Sequence, residues 1–153
     1  MLNSAILKLV KKEYRDIKIL EADQFYWSPE EKIIYYDKTT SGNLADLALL
    51  HEISHAKLGH TNYKSDFDLL SLEVSAWHET RKMASELGVM IDENHIEDCL
   101  DSYRDWIAKR SACPVCGLRN LQLSDSDKYS CYNCHSIWKV SSSRFCRPYR
   151  SKI

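Results

Sequence analysis

Two cysteine pairs constrain this chain's fold more than any other feature. "CPVCG" at 113–117 and "CYNCH" at 131–135 read C-x2-C-x14-C-x2-C. Each pair suits a knuckle turn that offers two thiolates to one ion. Two knuckles joined by a short hairpin close a tetrahedral, all-thiolate zinc site made of Cys113, Cys116, Cys131 and Cys134. Four protein ligands leave no open position, so the expected role is structural. A segment of about 40 residues has too small a core to fold well alone, and the metal supplies the missing stability. "SIWKV" at 136–140 is then a strand of this ribbon. "CYNCH" also fits a c-type haem attachment motif, but that chemistry needs an exporting context, and the upstream pair accounts for the cysteines better. Cys99 falls in a helical pattern and reads as a small buried hydrophobe; Cys146 is left over.

The chain of 153 residues, 44% hydrophobic and 28% charged, fits one globular domain with a small appendage. No apolar run approaches the ~18–20 residues needed to span a bilayer. In "MLNSAILKLVKKEYRD" the lysines follow the apolar stretch and no small-residue cleavage site comes after, so it reads as an amphipathic helix and not as a signal peptide. The expected compartment is the cytoplasm, where thiols ligate metal before they pair. Charge divides the chain: residues 1–108 hold 12 Lys/Arg and 20 Asp/Glu, whereas 109–153 hold 9 and 2. That asymmetry points to two modules with different jobs.

"IKILEAD" (17–23) and "KIIYYD" (32–37) are rich in β-branched and aromatic residues, with turn chemistry in "SPEE" between them, and predict a hairpin or two neighbouring strands. "TTSGN" (39–43) supplies a cap for a helix over 44–60, with Leu47, Leu50, Ile53 and Leu58 apolar and Gly59 as its terminator. A second helix runs from Asp66, a good N-cap, to about Leu87, where Gly88 ends it. A third covers 93–110 behind Asp92, with Ile96, Leu100, Tyr103 and Ile107 on one face. From 112 helical periodicity stops.

The first of these helices carries "HEISH" at 51–55. Residues i and i+4 differ by ~40° in azimuth, so His51 and His55 stand side by side and can ligate one metal. Glu52 lies ~100° away on the flank, where its carboxylate reaches a metal-bound water without being a ligand. Zinc chemistry needs this arrangement, because the ion acidifies water and polarises a carbonyl while a neighbouring base takes the proton. The alternative is a polar patch on an ordinary helix, but two histidines facing a core are awkward to satisfy there. Three residues compete to be the third ligand. His60 would lie about 140° off the ligand face on a continued helix and reads as a helix-end residue. Glu73, on the next helix among Leu69, Leu70, Leu72, Val74 and Trp77, is a costly carboxylate unless it is used, and it is the preferred ligand. His78 is the third candidate.

"LLHEISHAKLGH" followed by "EVSAWHETRKMASELGV" resembles the gluzincin metallopeptidases, most of all the ImmA/IrrE family. The resemblance covers roughly residues 15–90 and implies that Glu73, in an E-x-x-A pattern, completes the zinc site. It also implies that the strand in "FYWSPEEKIIYYD" forms the upper rim of a cleft, so that an extended peptide substrate pairs along its edge. Where relatives carry glycine, this chain has Ser54. A protease core followed by a zinc ribbon is also similar to SprT-like proteins, which cleave DNA-bound proteins. Those use a third histidine far downstream, and within the core this chain offers only His78 and His95.

The expected molecule is therefore α+β and mostly helical. It has a small zincin-like core over 1–111 with a short N-terminal sheet, and a zinc ribbon with a basic tail over 112–153. Two zinc ions are expected, one catalytic and one structural. The expected function is hydrolysis of a peptide bond in a specific protein, with Glu52 as base and Tyr35, Tyr36, His60 or Tyr63 beside the substrate or oxyanion. The alternatives are the SprT-like protease and a non-enzymatic adaptor. DNA or a regulatory protein would meet Arg144, Arg147, Arg150 and Lys152, with Phe145 and Tyr149 interleaved.

Overall fold

Helix α1 (Ser4–Glu13) starts where the Asn3 side chain accepts the Ala5 N–H at 2.9 Å, and Ile6 and Val10, four apart, are its buried residues. The computed structural model describes residues 1–124, 127–141 and 150–153. Strands β1 (Lys18–Ala22), β2 (Tyr26–Ser28) and β3 (Ile33–Asp37) form a sheet in the order β1-β3-β2. The "SPEE" turn joins β2 to β3, which pair antiparallel with Tyr26 opposite Tyr35. The two longer strands do neighbour each other, but parallel, with Lys18 opposite Ile33. They make no hairpin because the link between them carries β2, so the chain reverses twice before β3. "KIIYYD" is consequently the central strand, and of the stretch "FYWSPEEKIIYYD" it is β2 that lies at an edge of the sheet.

Helix α2 (Asn43–Lys57) buries Leu47, Leu50 and Ile53 as its spacing predicts. Its N-cap is Gly42, with no side-chain cap bond; the Asn43 side chain instead exchanges bonds with the backbone of Met90, at 2.8 and 3.1 Å. The helix stops before Leu58, which lies exposed, and Gly59 comes next at φ +67°. Helix α3 (Asp66–Leu87) has the expected extent but not the expected cap. Ser65 Oγ accepts the Asp68 N–H at 3.1 Å, which frees the Asp66 carboxylate for another task. Helix α4 (Glu93–Ser111) ends where the texture of the sequence changes. Cys99 is half-buried, its sulfur 3.6 Å from His95 Nε2, rather than buried as an apolar residue. Strands β4 (Lys128–Ser130), β5 (Ile137–Val140) and β6 (Arg150–Lys152) make a small antiparallel sheet in that order.

The chain divides into two compact units, one of Met1–Thr61 with Leu72–Glu93 and the other of Asn62–Ser71 with Asn94–Ile153. In the first, Ile6, Val10, Ile34, Leu47, Leu50, Ile53, Met83 and Val89 form one core. Fully burying such side chains is worth roughly 1.5–3 kcal/mol each before entropy is counted. That core is the rigid backing of α2. In the second unit Tyr129 and Trp138 stack at 5.7 Å beside Cys113 and Cys131. Here the freed Asp66 carboxylate takes Arg110 Nε at 2.8 Å and Nη2 at 3.2 Å, and accepts the Tyr129 hydroxyl at 2.5 Å. Arg110 also lies over the Trp106 ring at 4.2 Å, and its own carbonyl accepts the Trp138 indole N–H at 2.9 Å. No helix among the described residues is long and apolar enough to cross a membrane.

Candidate metal centres

His51 and His55 project from adjacent turns of α2, and α3 brings Glu73 against both. His51 Nε2 is 3.0 Å from Glu73 Oε2, His55 Nε2 is 3.4 Å from Oε1, and the two Nε2 atoms are 3.1 Å apart. The three residues offer one ligand atom each within 4.8 Å of one another, a His-His-Glu group able to hold a metal ion. The donor set fits zinc: two imidazoles and one carboxylate leave a fourth position open. Burial alone would raise the Glu73 carboxyl, but the bonds and charges of His51 and His55 outweigh it and hold it far below the usual range. Burial lowers His55, and its hydrogen bond to Glu73 together with the charges of Glu73 and Glu52 overcomes this to a net rise. Two more features tighten the site. Trp77, one turn after Glu73, stacks on His51 at 4.0 Å and 26°. Ser54 Oγ meets Thr80 Oγ1 at 2.9 Å and also bonds the Leu50 carbonyl, so buried hydroxyls join α2 to α3 just behind the histidines.

Glu52 lies on the flank, as the helical arc requires. It keeps some exposed surface, yet enough protein surrounds it that desolvation pushes its carboxyl up. His51 and His55 pull it down, Glu73 pushes it up, and the backbone N–H of Trp27 on β2 favours the charged form. His60 is not in the ligand group. Its Nδ1 stands 2.9 Å from His55 Nδ1 and its Nε2 3.3 Å from Ser75 Oγ. His78 is exposed on α3, away from the ligand group. Tyr35 and Tyr36 donate to Glu31 at 3.0 Å and Glu21 at 3.1 Å, and Tyr63 is exposed in the second unit.

The second unit holds the other group. Cys113, Cys116, Cys131 and Cys134 place their sulfurs within 4.8 Å of one another. Cys113 and Cys134 are 3.5 Å apart, as are Cys116 and Cys131. A tetrahedral ion with Zn–S bonds of about 2.3 Å sets sulfurs about 3.8 Å apart, so the cluster fits such an ion with small adjustment. The knuckles are built as the spacing predicts. Val115 N–H points at Cys113 Sγ (3.4 Å) and Cys134 N–H at Cys131 Sγ (3.5 Å), and Gly117 and His135 close the turns at φ +77° and +60°. Arg150 and Lys152 lie exposed on β6; Arg144, Arg147, Phe145, Cys146 and Tyr149 fall outside the described residues.

No protein-family model, curated protein or solved structure matches the chain. The two metal groups therefore carry the functional argument by their geometry alone. Sequence reasoning did not single out three residues of the first site. Trp77 had a signal, since it lies at i+4 from Glu73 and shares its helix face. Ser75 and Trp27 had none, because each depends on the path of a different segment.

Proposed function

We propose that the chain is a zinc-dependent metallopeptidase of the gluzincin type, in the style of the ImmA/IrrE family, acting on a specific protein substrate. One observation carries this reading: Glu73, from a separate helix, meets both imidazoles of "HEISH" in a buried site with Glu52 on its flank. Zinc held by His51, His55 and Glu73 would supply an acidified water and a polarised scissile carbonyl. Glu52 takes the proton of the attacking water and delivers it to the departing amine. Its burial raises its proton affinity, which suits a group that must both accept and release a proton. Strand β2 is the edge proposed for an extended substrate, since it is an edge of the sheet and its Trp27 N–H lies beside Glu52. The SprT-like alternative lacks support, because the third donor in the group is a glutamate and His78 is exposed.

The test uses full-length protein and a library of proteome-derived peptides. Wild type cuts selected peptides, and Glu52→Gln, still holding two zincs per chain, loses about 10²–10⁴-fold in rate. If the two proteins are equally active, or equally inert on every substrate, the reading fails.

A second reading concerns the ribbon-bearing unit, where Lys109, Arg119 and Arg150, with Asp105 as the one acid among the described residues, line an open hollow of about 670 Å³. We propose that it takes the phosphate backbone of nucleic acid. Arg119 also lines a neighbouring apolar hollow with Phe67 and Tyr132, whose exposed rings can stack on bases. Affinity for single-stranded DNA is expected to fall steeply with salt, and loss of two phosphate contacts in Lys109→Glu with Arg119→Glu to flatten that slope by about 1.4. An unchanged slope overturns this reading.

A further inference from the structure

Gly59 turns the chain at φ +67° and swings His60 back, although a continued helix would carry it off the ligand face. The returned residue is pinned twice through its backbone. Its N–H donates to the His55 carbonyl at 3.0 Å, and its carbonyl accepts the Trp27 indole N–H at 3.2 Å. The ring then has a defined place, with one nitrogen on His55 and the other on Ser75.

We infer that His60 is a positioning residue: a one-way hydrogen-bond chain from His55 through His60 and Ser75 to the Leu72 carbonyl holds the proton of His55 on Nδ1 and leaves Nε2 free for the metal. The inference rests on the metallopeptidase reading of the His-His-Glu site. The directions are set from the far end. The Leu72 carbonyl can only accept, and Ser75 Oγ is nearer to it (2.9 Å) than to His60 Nε2 (3.3 Å), so the single hydroxyl proton goes to Leu72. Ser75 Oγ then accepts from His60 Nε2–H. A neutral imidazole has one donor and one acceptor, so His60 Nδ1 accepts, and across 2.9 Å it receives the hydrogen bond donated by His55 Nδ1–H. When His55 is neutral, as a metal ligand must be, its lone pair is thereby placed on Nε2, the atom facing His51 and Glu73. The opposite polarity would put an N–H where the ion must bind.

The two histidine ligands are thus held by different means. His51 Nδ1 is buried with no hydrogen-bond partner among the described residues, and its ring is fixed by the stack on Trp77. Outer partners of this kind tune metal affinity through the ligand they orient.

The test reads zinc binding by full-length protein in competition with a chromophoric chelator, and imidazole tautomers by long-range ¹⁵N–¹H spectra of histidine-labelled protein. His60→Phe keeps a ring but no nitrogen, and the Trp27 bond survives because it is made to the backbone. It is expected to weaken the first zinc site about 10–100-fold while the four-cysteine site is unchanged. His60→Asn, whose amide oxygen can accept, recovers most of the loss. In zinc-free wild type, His60 is expected as the Nε2–H tautomer with a proton on His55 Nδ1. Unchanged affinity in His60→Phe, or the Nδ1–H tautomer on His60, overturns the inference. Binding of one zinc per chain by wild type would instead sink the metallopeptidase reading, and the tautomers would still decide whether the chain of bonds exists. The occupied four-cysteine site and unchanged circular dichroism certify that each variant is folded.

Discussion

Glu73→Gln removes one charge and keeps nearly the same volume, so it isolates the role of the carboxylate. In the zinc-free protein that carboxylate bridges His51 at 3.0 Å and His55 at 3.4 Å. In the loaded protein it is one of three protein ligands. Zinc bound by four protein ligands releases roughly 10–16 kcal/mol, or about 3–4 kcal/mol per ligand. At about 1.4 kcal/mol per decade, loss of one ligand weakens the site by about 10²–10³-fold. The assay is zinc competition on full-length protein, with the four-cysteine site as an internal reference that retains one equivalent. His78→Ala, an exposed change on the same helix, should alter neither site. A Glu73→Gln variant that holds two zincs at wild-type affinity would refute the reasoning, because the carboxylate would then be a buried partner of the histidines and not a ligand.

Asp66→Asn should cost about 3 kcal/mol in urea unfolding at constant m-value, because it leaves a buried guanidinium facing an amide. Asp101→Asn, at a pair whose side chains are 42% and 60% exposed, should cost less than about 1 kcal/mol. Equal costs would contradict the assignment of Asp66 to the interior. Glu79, held by Lys57 at 2.5 Å, has its carboxyl below the ordinary range, chiefly through that hydrogen bond. Its contribution is full above about pH 4.5 and is lost as pH falls through its lowered folded value. Lys57 is partly exposed, so the effect is about 0.2–1 kcal/mol, and Glu79→Gln should flatten the acid limb of the stability curve by that amount.

Local features were legible wherever chemistry and position lie on one element. "HEISH" needs only the helical arc to set two imidazoles together with a carboxylate on the flank. The cysteine knuckles need only four-residue turns, and Val115 and Cys134 donate to sulfur as such turns do. The extent of α3 was readable from its periodicity, but the task of Asp66 was not. At a helix start an aspartate looks like a cap, and only the approach of Arg110, 44 residues away, makes it half of a buried ion pair.

By itself the sequence determined that α2 carries a pair of metal-ready histidines and that each C-x2-C pair offers two thiolates to one ion, because both follow from backbone geometry over a few residues. The tertiary structure decided the rest. Within "FYWSPEEKIIYYD" it put β2 at the sheet edge and "KIIYYD" at the centre, since a three-residue strand in the link reversed the chain. The place of His60 was also beyond the sequence. Helical spacing put it off the ligand face, and the left-handed turn at Gly59 together with the Trp27 indole returned it to 2.9 Å from His55. Distances across a turn depend on the sum of several dihedrals and on what packs behind them, and no local periodicity encodes that sum.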